Sequence, residues 1–216
     1  MQNSAEIRWF WHDATTGIES WFRSGTFPPG GGKVRVDDYL VDPSQIELGI
    51  KKRGDNVGIE VKGLVARLAS RFQIGTLVAN GELWTKWSSP SLRLDGLSTM
   101  SINKIRWLRK FEVTGASVRE IQLGPDEKPL NPEDKIPEHG CNLELTKVSL
   151  TNNGPEWTTV GFESFGYYAL VEDALQRTIE HLKSGFLPVF GSGEELSYPA
   201  WLASQYPFRS SGAVPR

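Results

Sequence analysis

The chain has 216 residues, with 24 Lys or Arg against 26 Asp or Glu, so its formal net charge is −2. This length suits one domain with a substantial core, and the near-neutral charge argues against a nucleic-acid partner. The only cysteine, Cys141, excludes an intramolecular disulfide, and without a signal peptide or an apolar run of about 20 residues we expect a cytoplasmic protein with no membrane partner.

Alternation of apolar with charged or polar residues, the pattern of strands, dominates the chain. It predicts a strand over 6–11, with Glu6, Arg8 and Phe10 on one face, and then a hairpin over 46–63. Further strands are predicted over 81–87, 103–113, 117–123, 141–150 and 157–166. This gives roughly seven or eight strands, most of them with charge on one face.

Apolar residues at helical spacing predict three helices, over 17–25, 63–72 and 167–183. Stretches rich in Gly, Pro and small polar residues predict loops over 27–33, 88–91, 124–140 and 152–156. No linker and no internal repeat divides the chain, so we expect a single domain over 1–216.

These elements predict an α+β protein, an antiparallel β-barrel or tunnel of about eight strands with covering helices. Two arrangements are possible. With the apolar face inside, the charged face would be solvated and the barrel could hold a small apolar ligand. With the charged face inside, the helices would cover the apolar exterior, which is otherwise unfavourable in water. The three amphipathic helices favour the polar interior.

A polar interior lined with Lys and Arg has a large desolvation cost unless anions compensate it. Triphosphates and polyphosphates suit such an interior because they carry many oxygens along a linear chain. A divalent cation could bridge carboxylates to the same anion. The expected partner is therefore a small-molecule triphosphate or polyphosphate.

Short motifs follow one another in a characteristic order along the chain. They are DDYLVD (37–42), LGIKKRGDNVGIEVKG (48–63), KIRW (104–107), LELTKV (143–148), GFESFG (161–166) and SYPAWL (197–202). Their order resembles the CYTH superfamily, also called the triphosphate tunnel metalloenzymes, over nearly the whole chain. The resemblance implies a CYTH-like barrel that binds triphosphate compounds and hydrolyses them with Mg²⁺ or Mn²⁺.

The charged strand faces supply the candidate site residues. We expect phosphate to be bound by Lys51, Arg53, Lys62, Lys86, Lys104 and Arg106. We expect a metal ion to be bound by Glu6, Glu144 and Glu163. The alternative is that these groups are ordinary ion pairs between neighbouring strands, with Glu47 and Glu60 as partners of the cations. No catalytic residue is assigned.

The opening strand departs from the family pattern Glu-x-Glu-x-Lys. Glu6 keeps the first glutamate, but Arg8 replaces the second, Phe10 replaces the lysine, and Gly49 stands where the family has its first hairpin arginine. A cation beside a metal site weakens it, so we expect any hydrolysis to be slow or altered. There are two alternatives. The protein could be a non-enzymatic barrel that binds a small apolar ligand, or a scaffold that kept only the fold.

Overall fold

The structure, a computed structural model, describes residues 1–12, 16–56, 58–115, 117–151, 154–183, 185 and 190–206. Within these ranges the strands are β1 (Gln2–Trp11), β2 (Gly30–Leu40), β3 (Leu48–Arg53), β4 (Ile59–Ile74), β5 (Leu77–Ser89), β6 (Thr99–Thr114), β7 (Ser117–Ile121), β8 (Gly140–Leu150), β9 (Trp157–Phe165) and β10 (Glu194–Glu195). The helices are α1 (Thr16–Arg23), α2 (Val171–Lys183) and α3 (Tyr198–Gln205), and a 3-10 turn (Tyr168–Leu170) precedes α2.

Eight strands close into an antiparallel barrel in the order β1-β5-β4-β3-β2-β6-β8-β9. Closure depends on β1, which pairs with β5 on one side and with β9 on the other. β7 forms a hairpin with β6, and the short β10 adds to β1. The prediction of an antiparallel barrel of about eight strands with covering helices is confirmed.

The main hydrophobic core lies outside the barrel, between the sheet and the first two helices. Trp9 of β1 and Leu143 of β8 belong to one buried cluster with Phe22 of α1 and Leu175 of α2. Since side chains alternate along a strand, burying this outer face turns the alternate, charged positions into the barrel. None of the helices in the described part of the chain is long and apolar enough to cross a membrane.

The helices predicted over 17–25 and 167–183 are confirmed as α1 and α2, but the helix predicted over 63–72 is wrong. Those residues belong to β4, and the register of β4 against β5 shifts between Leu64 and Ala66 and again between Arg67 and Arg71. Each irregularity interrupts the two-residue alternation, so the apolar residues fall at a spacing that imitates a helix.

The predicted boundary of the loop over 27–33 is also wrong, because residues 30–33 already belong to β2. Gly31 and Gly32 have φ angles of 97° and 89°, and the register against β6 shifts after Gly31. A Cβ on Gly31 would lie 2.5 Å from the carbonyl oxygen of Arg106. Glycine therefore allows this strand to start in close contact with β6.

The third helix, α3, packs at one end of the barrel rather than on its exterior. Its N-cap Ser197 accepts a hydrogen bond from the amide of Ala200 at 3.3 Å. Trp201 stacks on Phe10 with ring centroids 5.1 Å apart, and a Cβ on Gly49 would lie 3.3 Å from Pro199. Phe10 and Gly49, which depart from the CYTH pattern, are therefore among the positions against which α3 packs.

Candidate functional site

The barrel holds a cavity of about 360 Å³, lined by the inward faces of its eight strands and by the segment that leads into α3. This volume lies within the range of small-molecule sites, roughly 300–1,000 Å³. Among the residues that the structure describes, nine basic and seven acidic side chains line the cavity. All nine predicted site residues are among them: Glu6, Lys51, Arg53, Lys62, Lys86, Lys104, Arg106, Glu144 and Glu163.

One residue predicted on the charged face of the hairpin lies elsewhere. Glu47 precedes β3 and does not line the cavity. Its carboxylate pairs with Arg67 at 3.1 Å, and both side chains are more than half exposed. Pairs of this kind contribute little to stability. The charges that face inward thus belong to the paired residues of β3 and β4, and the turn before β3 contributes none of them.

Arg8 on β1 and Arg106 on β6 bind the same carboxylate, that of Glu144 on β8. Arg8 Nη2 donates to Glu144 Oε2 at 2.8 Å, and Arg106 Nη1 donates to Glu144 Oε1 at 2.8 Å. Burial acts to raise the pKa of Glu144, but Arg106 and Arg8 outweigh it and hold that pKa well below its usual range. Glu144 is therefore a permanent anion held between two guanidinium groups.

Three carboxylates stand side by side where the barrel closes, because Glu6 lies opposite Glu82 in one ladder and opposite Glu163 in the other. Lys62 Nζ lies 2.5 Å from both carboxylate oxygens of Glu6, and Ser4 Oγ donates to Glu6 Oε1 at 2.5 Å. Burial, together with repulsion by Glu163, raises the pKa of Glu6 in spite of Lys62. This row carries more negative charge than its nearest cation neutralises.

A second buried anion, Asp37 on β2, was not predicted as a site residue. Its carboxylate accepts from Arg35 Nε at 3.0 Å, and the Nζ atoms of Lys104 and Lys51 lie 3.5 and 3.6 Å away. Burial acts to raise the pKa of Asp37, but Lys104, Lys51 and Arg35 lower it to about 2. The alternation of Arg35, Asp37 and Tyr39 with apolar or polar neighbours indicates a strand with one charged face. The glycines at its start are typical of a loop, so the beginning of the strand was not predicted.

Lys104 is the most deeply buried lysine of the lumen, with a relative exposure of 2%. Its Nζ donates to the hydroxyl of Tyr39 at 2.5 Å and lies 3.9 Å from the ring centroid of Tyr198. Burial, and then repulsion by Lys51, lower the pKa of Lys104 well below its usual value. An anion that entered the lumen would stabilise the charged ammonium.

Two basic groups of the lumen, Lys86 and Lys110, have no carboxylate partner among the described residues. Within the described residues, no carboxylate oxygen lies within 4.0 Å of the Nζ of Lys86 or Lys110. Lys110 Nζ donates instead to Asn142 Oδ1 at 2.7 Å. By contrast, Lys51 and Arg53 both contact Glu60, at 3.4 and 3.9 Å. The cations of the lumen are thus a mixture of paired and unpaired groups.

Glu127, within the loop predicted over 124–140, also reaches the cavity. Arg106 Nε donates to Glu127 Oε1 at 3.0 Å, and Arg106 Nη2 donates to the other carboxylate oxygen. Glu127 has a φ of 64°, a conformation that non-glycine residues adopt rarely and that is frequent at binding sites. Sequence reasoning missed Glu127 because its role depends on a loop conformation that no periodic pattern records.

The donor set of the lumen does not fit a divalent cation, which needs several oxygen ligands around one point. Among the described residues, no group of three His, Cys, Asp or Glu side chains is arranged to hold a metal ion. Both oxygens of Glu144 bind guanidinium groups, and both oxygens of Glu6 contact Lys62. Binding of Mg²⁺ or Mn²⁺ by Glu6, Glu144 and Glu163 stays a prediction, and these contacts argue against it.

No protein-family model matches the sequence. No curated protein matches it either. The resemblance to the CYTH superfamily stays a prediction that rests on the order of short motifs in the sequence.

Proposed function

We propose that this protein binds a linear oligophosphate, either a free polyphosphate or a triphosphate compound, in the lumen of its barrel. The observation that carries the proposal is the inward orientation of the charged strand faces, which gathers nine basic side chains around one cavity. Arg and Lys donors bind phosphate oxygens strongly, and a linear chain of phosphates can contact donors on several strands at once.

The lysines of the lumen support an anionic ligand. Burial lowers the pKa of Lys104, of Lys51 and of Lys110, so each ammonium is held in a site that disfavours its charge. Lys86 and Lys110 have no carboxylate partner among the described residues. A polyanion would supply the missing negative charge at all of these positions, and a singly charged ligand would not.

The proposal includes a distant relationship to the CYTH superfamily. The motif strands at 48–63, 104–107, 143–148 and 161–166 all contribute side chains to the cavity. The relationship also implies metal-dependent hydrolysis, but two of the three carboxylates that would hold the metal, Glu6 and Glu144, are bound to cations. We therefore propose binding as the function and assign no side chain to proton transfer or nucleophilic attack.

An apolar ligand, the other function expected of such a barrel, suits this lumen poorly. It would remove water from the charged side chains without offering them hydrogen bonds, and this carries a large free-energy cost. The apolar faces of β1 and β8 are already buried against α1 and α2 on the outside of the barrel.

Thermal unfolding in the presence of candidate ligands tests the proposal. A ligand that binds the native state raises the melting temperature by mass action, so tripolyphosphate should raise it in a saturable manner. Orthophosphate and sulfate at matched ionic strength should raise it less, because they contact fewer donors. Stabilisation by a fatty acid, or equal stabilisation by sulfate and tripolyphosphate, would contradict the proposal.

A further inference from the structure

Arg8 stands at the position where the CYTH pattern has its second glutamate, and its side chain lies inside the lumen. The residue is 8% exposed, and its guanidinium lies 4.7 Å from the ring centroid of Tyr198. The coulombic influence of Tyr198 and Glu144 raises the pKa of Arg8 despite burial, so the side chain keeps its positive charge. A fixed cation therefore occupies a position at which the family pattern has an anion.

The surroundings of Arg8 fit the guanidinium closely. Arg8 lies opposite Gly161 on β9, and Gly161 lies opposite Glu144 on β8. A Cβ on Gly161 would lie 2.4 Å from Arg8 Cζ, so the absence of a side chain there lets Arg8 reach Glu144 across β9. Arg8 Nη1 also lies 3.4 Å from Thr159 Oγ1. Three strands thus contribute to the position of this one charged group.

Two of the carboxylates that could attract a metal, Glu144 and Glu6, are bound to cations of the chain. Glu144 accepts from Arg8 and Arg106, and Glu6 contacts Lys62. A divalent cation would have to displace buried guanidinium and ammonium groups to reach these oxygens, and each displaced group would lose its partner in a desolvated site. The chain itself supplies the positive charge that a bridging metal would bring.

We propose that the lumen binds its oligophosphate without a divalent cation, with Arg8 as the cation that contacts the phosphates. This inference rests on the proposed function and specifies how that site holds its ligand. A guanidinium has five N–H donors and matches phosphate oxygens in a bidentate manner. Arg8 lines the cavity and donates to Glu144 at 2.8 Å and to Thr159 at 3.4 Å, which leaves three of its five N–H groups without a protein acceptor among the described residues. Arg106, which bonds Glu127 and Glu144, holds Glu144 in place.

Calorimetric titration of the wild-type protein with tripolyphosphate, in EDTA and in millimolar Mg²⁺, tests the inference without any substitution. We expect saturable binding in EDTA. Mg²⁺ binds phosphate oxygens itself and competes for the ligand, so we expect it to leave the affinity unchanged or to lower it. An increase of about tenfold or more with Mg²⁺ would overturn the inference but not the proposed function. Absence of binding in both buffers would overturn the proposed function as well.

Substitution of Arg8 gives an independent test. Arg8→Glu should weaken tripolyphosphate binding in EDTA by about tenfold or more, and Mg²⁺ or Mn²⁺ should then strengthen it. Arg8→Lys keeps the charge and should bind in EDTA more tightly than Arg8→Glu, with no gain from metal. Circular dichroism and thermal unfolding check that each variant is folded. Wild-type affinity in folded Arg8→Glu, or a stoichiometric Mn²⁺ site in the wild-type protein measured by electron paramagnetic resonance with the metal alone, would contradict the inference.

Discussion

The guanidinium of Arg8 donates to Glu144 at 2.8 Å although the two residues lie on strands separated by β9. The contact is possible because Gly161 lies between them and leaves the space above β9 open. It spans β1, β9 and β8 and so crosses the β1–β9 ladder that closes the barrel. The glycine on β9 therefore allows a buried ion pair to form between residues of the two neighbouring strands, β1 and β8.

We predict that Gly161→Ala destabilises the protein by about 1–3 kcal/mol, the usual cost of inserting a methyl group where there is no space. The new Cβ would lie 2.4 Å from Arg8 Cζ, so the guanidinium would have to leave Glu144. Urea unfolding measures the change. Gly17→Ala is the control, because a Cβ on Gly17 meets nothing within 4 Å.

A double-mutant cycle identifies the cause of that loss. In an Arg8→Ala background the Gly161→Ala substitution should cost much less, because the guanidinium that the Cβ would meet is absent. Equal costs in both backgrounds would show that Gly161 acts through the backbone of β9 and would contradict our account.

The buried pair between Arg109 and Glu120 should be a strong determinant of stability. Arg109 donates to both oxygens of Glu120, at 2.7 and 2.9 Å, and Glu120 also accepts from the amide of Thr26 at 3.1 Å. Glu120→Gln leaves a buried guanidinium without its anion, so we predict a loss of about 3–5 kcal/mol in urea unfolding.

The neighbouring pair between Arg119 and Glu112 is a matched control on the same two strands. Arg119 Nη2 lies 2.9 Å from Glu112 Oε2, but the Arg119 side chain is 52% exposed. Glu112→Gln should therefore cost less than about 1 kcal/mol. Similar costs for the two glutamine substitutions would contradict the burial that we assign to Arg109 and Glu120.

Asp37 should make the protein sensitive to acid. The pKa of Asp37 is lowered from 3.8 to about 2, so the folded protein binds its proton less readily than the unfolded chain does. The resulting stability, about 2 kcal/mol, is present above pH 3.8 and is lost as the pH falls towards 2. Asp37→Asn should reduce stability at pH 7 and flatten the dependence between pH 4 and 2 in urea unfolding. An unchanged slope would contradict this assignment.

Ligand binding should be linked to protonation of Lys104. Burial lowers the pKa of Lys104, and a bound polyanion would raise it, so the complex should hold more protons than the free protein. Affinity for tripolyphosphate should consequently rise as the pH falls towards the lowered pKa of the free protein and level off below it. Titration calorimetry in buffers of different ionisation enthalpy measures the proton uptake.

The control for this effect is a lysine on the outer face of the barrel. Lys104→Met should take up fewer protons on binding than the wild-type protein, whereas Lys52→Met should take up as many, since Lys52 does not line the cavity. Equal uptake by all three proteins would show that the protons go to the ligand or to other groups.

Much of the barrel could be predicted from sequence because alternation is a local pattern. Glu6 and Arg8 alternate with Ile7 and Trp9, and this fixes both the strand and its two faces. The structure turns the charged face inward because the large apolar side chains of β1 are buried against the helices. The inward placement of the nine candidate residues follows from the same alternation.

The rest depends on contacts between distant segments, which a local pattern does not record. The irregularities of β4 after Leu64 and Arg67 are visible only against β5, so the stretch resembled a helix. The partners of the charged groups are equally non-local: Glu127 reaches Arg106 from a loop, and Arg8 reaches Glu144 because of Gly161. Alternation therefore predicted which residues face the lumen, but not which of them are bound to one another.

The affinity of tripolyphosphate for the wild-type protein, Lys86→Gln and Lys52→Gln, measured by titration calorimetry in EDTA, tests the central claim most directly. Each substitution removes one positive charge, but Lys86 lines the cavity and has no carboxylate partner among the described residues, whereas Lys52 does not line the cavity. We predict that Lys86→Gln weakens binding by about tenfold, as expected for loss of one charged hydrogen bond, and that Lys52→Gln leaves it nearly unchanged. Equal affinities for the two variants, or no binding to the wild-type protein, would contradict the claim that the lumen holds an oligophosphate.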